Sequence, residues 1–261
     1  MPAGLDLSRP SAARVYDYYL GGFHNFAVDR EMARRAMAMW PELPLIMRAN
    51  RAFLRRAVTT LVQAGVRQFL DIGSGIPTVG SVHTVAGEHA PDTRVVYVDV
   101  DPVAVAHSRA LLADDPSTAV VMADLRRPQD VLQDPALAEL LDLSRPVGVL
   151  MIAVLHFVSD DEQPREVIGA LRAAVAPGSH LVVSHAAHDL LPAEVAASHQ
   201  ALYRQTGSPM TMRGRDDVAG FFEGFELLDP GLVELDRWRP DPEESAPPHA
   251  CPAWAGIGLK R

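Results

Sequence analysis

Apolar residues recur along this chain with two different periods, and the change of period divides it. Before residue 65 the spacing is helical. In residues 11–20, Ala12, Val15, Tyr16 and Tyr19 fall at i, i+3, i+4 and i+7 on one face. Ser11 stands where a cap opens such a helix, and Gly21-Gly22 can close it, because glycine enters left-handed backbone freely. The same spacing predicts a second helix over 29–40, stopped by Pro41, and a third over 43–64, ending before Gly65. Arg48, Arg51 and Arg55 share one side of the third helix and read as a solvated face rather than an RNA-binding one.

From Val66 onward, short runs of Val, Ile and Leu alternate with helical stretches. Strands are expected over 68–72, 94–98, 119–122, 147–153 and 180–184, with helices over 79–89, 102–113, 130–141 and 161–175. Strands that are apolar on both faces and separated by helices belong to a mostly parallel sheet covered on each side. Right-handed crossovers wind such a sheet into a three-layer α/β sandwich. A helix over 193–205, a segment over 216–222 and strands over 225–228 and 254–259 complete the pattern. The stretch 236–252 carries Pro240, Pro242, Pro247, Pro248 and Pro252 and reads as an exposed loop. The expected division is a helical extension over 1–64 and an α/β domain over 65–261.

Composition narrows the functional classes. The chain of 261 residues is long enough for a continuous core, and its 48% hydrophobic and 22% charged fractions exclude wholesale disorder. Against 33 acidic residues stand 24 basic ones, and the net charge of -9 repels nucleic-acid backbones and anionic membranes. The single cysteine, Cys251, excludes an internal disulfide and a multi-thiolate zinc site, and it fits a reducing cytosol. The first residues carry no apolar signal core. The longest apolar run, 147–155, falls short of the roughly 18–20 residues of a spanning helix. A cytoplasmic protein is expected.

The segment Phe69-Leu-Asp-Ile-Gly-Ser-Gly-Ile-Pro-Thr78 carries the first chemistry. A strand running into Asp71-x-Gly73-x-Gly75 puts a tight turn at the carboxyl edge of the sheet, where doubly wound folds bind ligands. A dinucleotide fingerprint would need a third small residue where Thr78 stands. An acid at 71 would also crowd a pyrophosphate, whereas it suits a cationic α-amino group. That charge argument favours S-adenosylmethionine over NAD, and methyl transfer over nucleotide-linked oxidoreduction. The next strand ends in Asp99, placed for a ribose diol, with Asp101 as the cap of the following helix. The third ends in Asp124, placed to accept from an adenine amine while Met122 or Leu125 packs on the ring.

With these motifs the chain resembles the class I S-adenosylmethionine-dependent methyltransferases over about residues 66–261. The segment Ser11-Ala-Ala-Arg-Val-Tyr-Asp-Tyr-Tyr-Leu-Gly-Gly-Phe-His-Asn-Phe-Ala-Val-Asp-Arg30, with Tyr97-Val-Asp-Val-Asp-Pro102 and Leu155-His-Phe-Val158, is similar to one narrower actinomycete family of such enzymes over the whole chain. The resemblance implies a Rossmann-like sheet of seven strands, the last antiparallel. It also implies that Asp71, Gly73 and Gly75 contact the methionine part, Asp99 the ribose and Asp124 the adenine. Ser74, Val100, Ala123, Leu125, Ala153, Tyr16 and Asn25 complete the expected cofactor contacts.

Methyl transfer needs alignment and water exclusion, and it needs a base only where the acceptor must lose a proton first. His156, after the fourth strand, and His185, after the fifth, are the candidate bases. His185-Ala-Ala-His188-Asp189 has metal-like spacing without a third ligand in view, and no metal is expected. After strand four there is no Asn/Asp-Pro-Pro-aromatic motif, and Cys251 lies in a proline-rich stretch, so nucleobase methylation is disfavoured and a small-molecule acceptor is expected. Tyr16, Tyr18, Tyr19, Phe23 and Phe26 can form a lid over the sheet edge, fixed by Asn25 and Arg30. A different class also fits: a regulatory or interaction protein that holds S-adenosylmethionine without turnover.

Overall fold

The computed structural model describes residues 8–78, 80–204, 206–241 and 251–261. Three helices come first: α1 (Ala12–Tyr19), α2 (Ala27–Met39) and α3 (Leu43–Gln63). The Ser11 hydroxyl makes no cap bond. Instead, Asp29 holds the starts of two helices: its Oδ1 accepts the Ser11 N–H at 3.0 Å and its Oδ2 the Phe26 N–H at 2.8 Å. Gly21, at φ +81, ends α1 as expected.

Among the described residues the sheet has eight strands: β1 (Gln68–Ile72), β2 (Arg94–Asp99), β3 (Thr118–Met122), β4 (Gly148–Ile152), β5 (His180–Ala186), β6 (Glu226–Leu227), β7 (Val233–Glu234) and β8 (Ala253–Leu259). Their order is β3-β2-β1-β4-β5-β8-β6, with β7 also pairing β8. Strands β1 to β5 are parallel, and β8 runs antiparallel beside β5. The eighth strand beyond the expected seven is β7, whose two residues are too few to leave a period in the sequence.

Helices α4 (Val82–His89), α5 (Pro102–Leu111), α6 (Pro128–Leu132), α7 (Pro135–Leu140), α8 (Pro164–Ala174), α9 (Ala193–Tyr203) and α10 (Arg215–Ala219) supply most of the connections. The single helix expected over 130–141 is two helices. Pro135 lacks the N–H that a continuous helix needs, and Asp134 caps a new start by accepting the Ala136 N–H at 2.9 Å. Likewise Pro164 opens α8 after a short 3-10 turn, Asp160–Glu162. The helix end placed at Gln205, the start placed at Val79, and Pro242, Pro247 and Pro248 lie outside the described residues. Among those described, no helix is long and apolar enough to cross a membrane.

Alternation along β1 sends Phe69 into the core under α3 and α4, with Phe53, Leu61 and Tyr97, and Leu70 into the opposite core, with Val98 and Met151. Asp71 stands two residues after Phe69, so it belongs to the α3 face of the sheet. Phe53, Leu54 and Leu61 of α3 share one core with Phe69 of the sheet, so the third helix packs as part of the α/β layer.

Candidate active site

The carboxyl ends of β1 to β4 open on one cavity of about 630 Å³, within the roughly 300–1,000 Å³ range of small-ligand sites. Its floor is the turn after β1. The N–H groups of Gly73 and Ser74 both donate to Val98 O, at 2.8 and 3.1 Å, which pins the turn to β2. Gly73 has φ +71, and a Cβ there would collide with Val154 Cγ2. A packed protein neighbour therefore requires glycine at 73, independently of any ligand. At Gly75 only the φ of +62 does so.

Asp71 is 5% exposed. Burial pushes its carboxyl up to about 7, Arg51 pulls it down and Asp99 pushes it further up. Arg51 was expected on a solvated face, but it lines the cavity, with its guanidinium carbon 5.3 Å from the centroid of the Tyr16 ring. Its Nε is buried with no hydrogen-bond partner among the described residues. The signal was present in the sequence: Arg51 precedes the core residues Leu54 and Val58 by three and seven positions, at the edge of the buried face of α3. Arg48 and Arg55 are the exposed members of that trio.

Asp99 clamps the turn. Its Oδ2 accepts the Gly75 N–H at 2.7 Å and its Oδ1 the Asp101 N–H at 2.8 Å. Burial raises it to about 6 against these bonds. A carboxylate offers about four lone-pair sites, so acceptor capacity remains for hydroxyl donors. Asp101 caps α5 as expected, accepting the Val103 N–H at 2.8 Å.

Asp124 differs from expectation. Arg126 grips both its oxygens, with Nε to Oδ1 at 2.8 Å and Nη2 to Oδ2 at 2.7 Å, and passes on to Glu162 at 2.9 Å. Burial pushes the Asp124 carboxyl up, but the bonds from Arg126 outweigh it and hold the group below its usual value. Arg126 lies only two residues downstream, and sequence alone gave no reason to pair them. Val100, Ala123, Leu125 and Ala153 line the same cavity. Val100 is exposed. Ala153 sits at φ +54, held by its N–H donating to Ser184 O at 3.1 Å and Ser184 Oγ at 3.0 Å.

A hydrogen-bond chain ties the N-terminal helix to this edge. Ser184 Oγ donates to Asn50 Oδ1 at 2.6 Å, Asn50 Nδ2 donates to Tyr16 Oη at 3.0 Å, and Tyr16 Oη donates to Met47 O at 3.3 Å. Of the aromatic residues expected as a lid, Tyr16 and Tyr19 line the cavity. Tyr18 packs under Arg34, Phe26 under Arg14, and Phe23 is 94% exposed. Asn25 does not line the cavity. It holds the loop after α1, donating to Asp17 Oδ2 at 2.8 Å and Gly22 O at 2.9 Å and accepting from Arg30 Nη1 at 3.2 Å.

Both candidate bases line the cavity, and both have their Nδ1 atoms engaged by the Ala186 peptide. Ala186 N–H donates to His156 Nδ1 at 3.4 Å, and Ala186 O lies 2.8 Å from His185 Nδ1, which therefore carries a hydrogen. His185 Nε2 then accepts from Arg213 Nη1 at 3.0 Å. Arg213 is itself fixed by Asp160 Oδ1 at 2.7 Å, Leu155 O at 3.1 Å and Val158 O at 2.7 Å. Burial drives His156 well below 6.5 and His185 down to about 3. Burial thus favours the neutral form of both rings, and the His185 Nε2 lone pair is taken by Arg213.

Asp189 accepts from Trp254 Nε1 at 2.9 Å and the Arg215 N–H at 2.8 Å, and among the described residues no group of three or more potential metal ligands forms. Cys251 is buried outside the cavity wall, and burial with Asp236 and Glu234 raises its thiol to about 12.

A family model described as S-adenosyl methyltransferase matches residues 1–261. A Thermobifida fusca YX protein designated a methyltransferase shares 41% identity and a TM-score of 0.93, over 100% of this chain and 98% of that one. A DUF574 family protein of Streptomyces avermitilis shares 37% identity and a TM-score of 0.91, over 98% and 99% of the two chains. Human N-acetylserotonin methyltransferase, solved with S-adenosylmethionine, shares only the fold, at 14% identity and a TM-score of 0.50 over 93% of this chain and 62% of that one. No curated protein matches the chain. With a family match over its full length and two near-complete structural relatives above one-third identity, the chain belongs to the S-adenosyl methyltransferase family.

Proposed function

We propose that this methyltransferase acts on a small-molecule acceptor and seats its cofactor by pairing Asp71 and Arg51 with the two charges of the methionine end. One observation carries the reading: a buried acid on β1 faces a guanidinium on α3 whose Nε has no hydrogen-bond partner among the described residues. A zwitterionic α-amino acid offers an ammonium to the first and a carboxylate to the second. A diphosphate would instead meet Asp71 as a like charge.

Asp99 keeps lone pairs for ribose hydroxyls while it holds the glycine turn. Val100 and Leu125 offer apolar surface to the adenine, and Asp124 acts through Arg126, which it orients. When bound, the cofactor's sulfonium would supply an electrophilic methyl group, with the electron pair of the broken S–C bond leaving on sulfur as the acceptor bonds to carbon. The chain's own part is alignment and desolvation. Ala153 is held at positive φ by Ser184, and the chain from Ser184 through Asn50 to Tyr16 ties α1 and α3 over the reacting edge. Burial makes both imidazoles weak bases, and Arg213 occupies the His185 Nε2 lone pair. The charge of -9 supports a small acceptor over a nucleic acid.

Calorimetry tests this directly. S-adenosylhomocysteine should bind, adenosine should bind more weakly, and NAD should not bind. Equal affinity for adenosine and S-adenosylhomocysteine would reject the Asp71–Arg51 pairing.

A further inference from the structure

Six of the rings that line the cavity form an unbroken series. Trp40 meets His199 with centroids 5.3 Å apart, and His199 meets Tyr203 at 5.1 Å. Tyr203 meets Phe157 at 6.0 Å, Phe157 meets His156 at 4.4 Å, and His156 meets His185 at 5.5 Å. The series runs from the carboxyl ends of β4 and β5 out to α9 and the end of α2. One end therefore borders the edge where the methyl group would sit, and the other reaches into the α1–α2–α9 packing.

We infer that the methyl acceptor is an uncharged aromatic small molecule seated against this arc of rings, an inference that rests on the methyl-transfer reading above. Four of the contacts meet at 64–89° or in a tilted arrangement at 45°, geometries in which a further planar ring finds both edges and faces to pack against.

Charge is absent from the arc. Burial lowers His156, His185 and His199 and raises Tyr203, so near neutral pH the imidazoles carry no charge and the phenol keeps its proton. The carboxylates that line the cavity belong to α1, to β1 and β2, and to the segments that follow β2, β3 and β4. Arg213, behind His185, is already paired with Asp160. An ammonium or carboxylate drawn into the arc would lose its water and find no counter-ion. One fully buried polar atom on the arc, His199 Nδ1, has no hydrogen-bond partner among the described residues. It suits a single hydroxyl or N–H on an otherwise apolar ring. Tyr19 and Tyr203, whose hydroxyl oxygens lie 3.5 Å apart, offer a second polar point beside it.

Calorimetry on the full chain saturated with S-adenosylhomocysteine tests the inference, with naphthol, naphthoate and naphthylmethylammonium as matched probes. Naphthol should bind saturably, and each charged probe at least about tenfold more weakly. Phe157→Leu should weaken naphthol roughly three- to tenfold and leave S-adenosylhomocysteine unaffected, while Phe157→Tyr, which keeps the ring, restores binding. Charged probes that bind as tightly as naphthol, or naphthol that fails to bind, would overturn the acceptor assignment and leave the methyl-transfer reading standing. Failure of S-adenosylhomocysteine to bind in the first titration would overturn both.

Discussion

Replacing Asp71 by asparagine keeps the shape of the side chain and removes its charge, and two measurable quantities should then move in opposite directions. Burial raises this carboxyl from 3.8 to about 7, so the folded chain favours its neutral form more than the unfolded chain does. The folded value lies above the unfolded one. Stability from this group is therefore complete below about pH 4 and is lost as pH rises through about 7. A displacement of this size corresponds to roughly 3–5 kcal/mol at about pH 8. Asparagine avoids that cost, so the cofactor-free Asp71→Asn protein should melt roughly 6–15 °C higher at about pH 8, with the gap closing toward about pH 4.

Cofactor binding should change the other way. A charge-assisted hydrogen bond from an ammonium contributes about 1.5–3 kcal/mol, so Asp71→Asn should weaken S-adenosylhomocysteine about 10–150-fold. Wild-type affinity should itself fall about tenfold from about pH 8 to about pH 6 as Asp71 takes up its proton, and Asp71→Asn should flatten that profile. Asp99, held at about 6, adds a smaller fall at the acid end. Thermal melting and calorimetry across this pH range read both effects. A lower melting point with unchanged cofactor affinity would refute the assignment of Asp71 as a ligand-binding acid held at the expense of stability.

Arg51→Met should weaken S-adenosylhomocysteine about tenfold and leave adenosine unchanged, which parallel titrations would show. Gly73→Ala should cost more than about 2 kcal/mol in urea unfolding through both the Val154 collision and the positive φ; Gly73→Ala with Val154→Ala should recover the steric part alone. Asp99→Asn leaves either the Gly75 or the Asp101 N–H facing an amide donor, so stability should drop by about 1–3 kcal/mol together with cofactor affinity. Arg213→Met strands Val158 O and His185 Nε2 and takes one of two donors from Leu155 O, and should lower stability by about 3 kcal/mol.

Local order left a clear trace in the sequence. The alternation of strand and helix, the tight turn after Phe69-Leu-Asp, the cap at Asp101 and the acids at three consecutive strand ends all depend on residues within one turn or one strand of each other. Hydrophobic period and glycine placement report such features directly. The sheet, its parallel core and the edge that opens on the cavity were accordingly legible from Asp71, Gly73, Gly75, Asp99 and Asp124.

What only the tertiary structure decided is how each side chain is paired across the chain. Arg51 turned toward Asp71 because α3 packs on the face of the sheet that Phe69 and Asp71 share. His185 Nε2 is occupied because Arg213, 28 positions away along the chain, lies against it. His199 and Tyr203, from a helix with no distinctive pattern, joined Phe157 and Trp40 in one wall. A sequence fixes which groups are present and which face of an element they occupy. Whether a given carboxylate or imidazole is charged, occupied or available follows from burial and from partners that are distant in the chain, and those exist only once the chain has closed on itself.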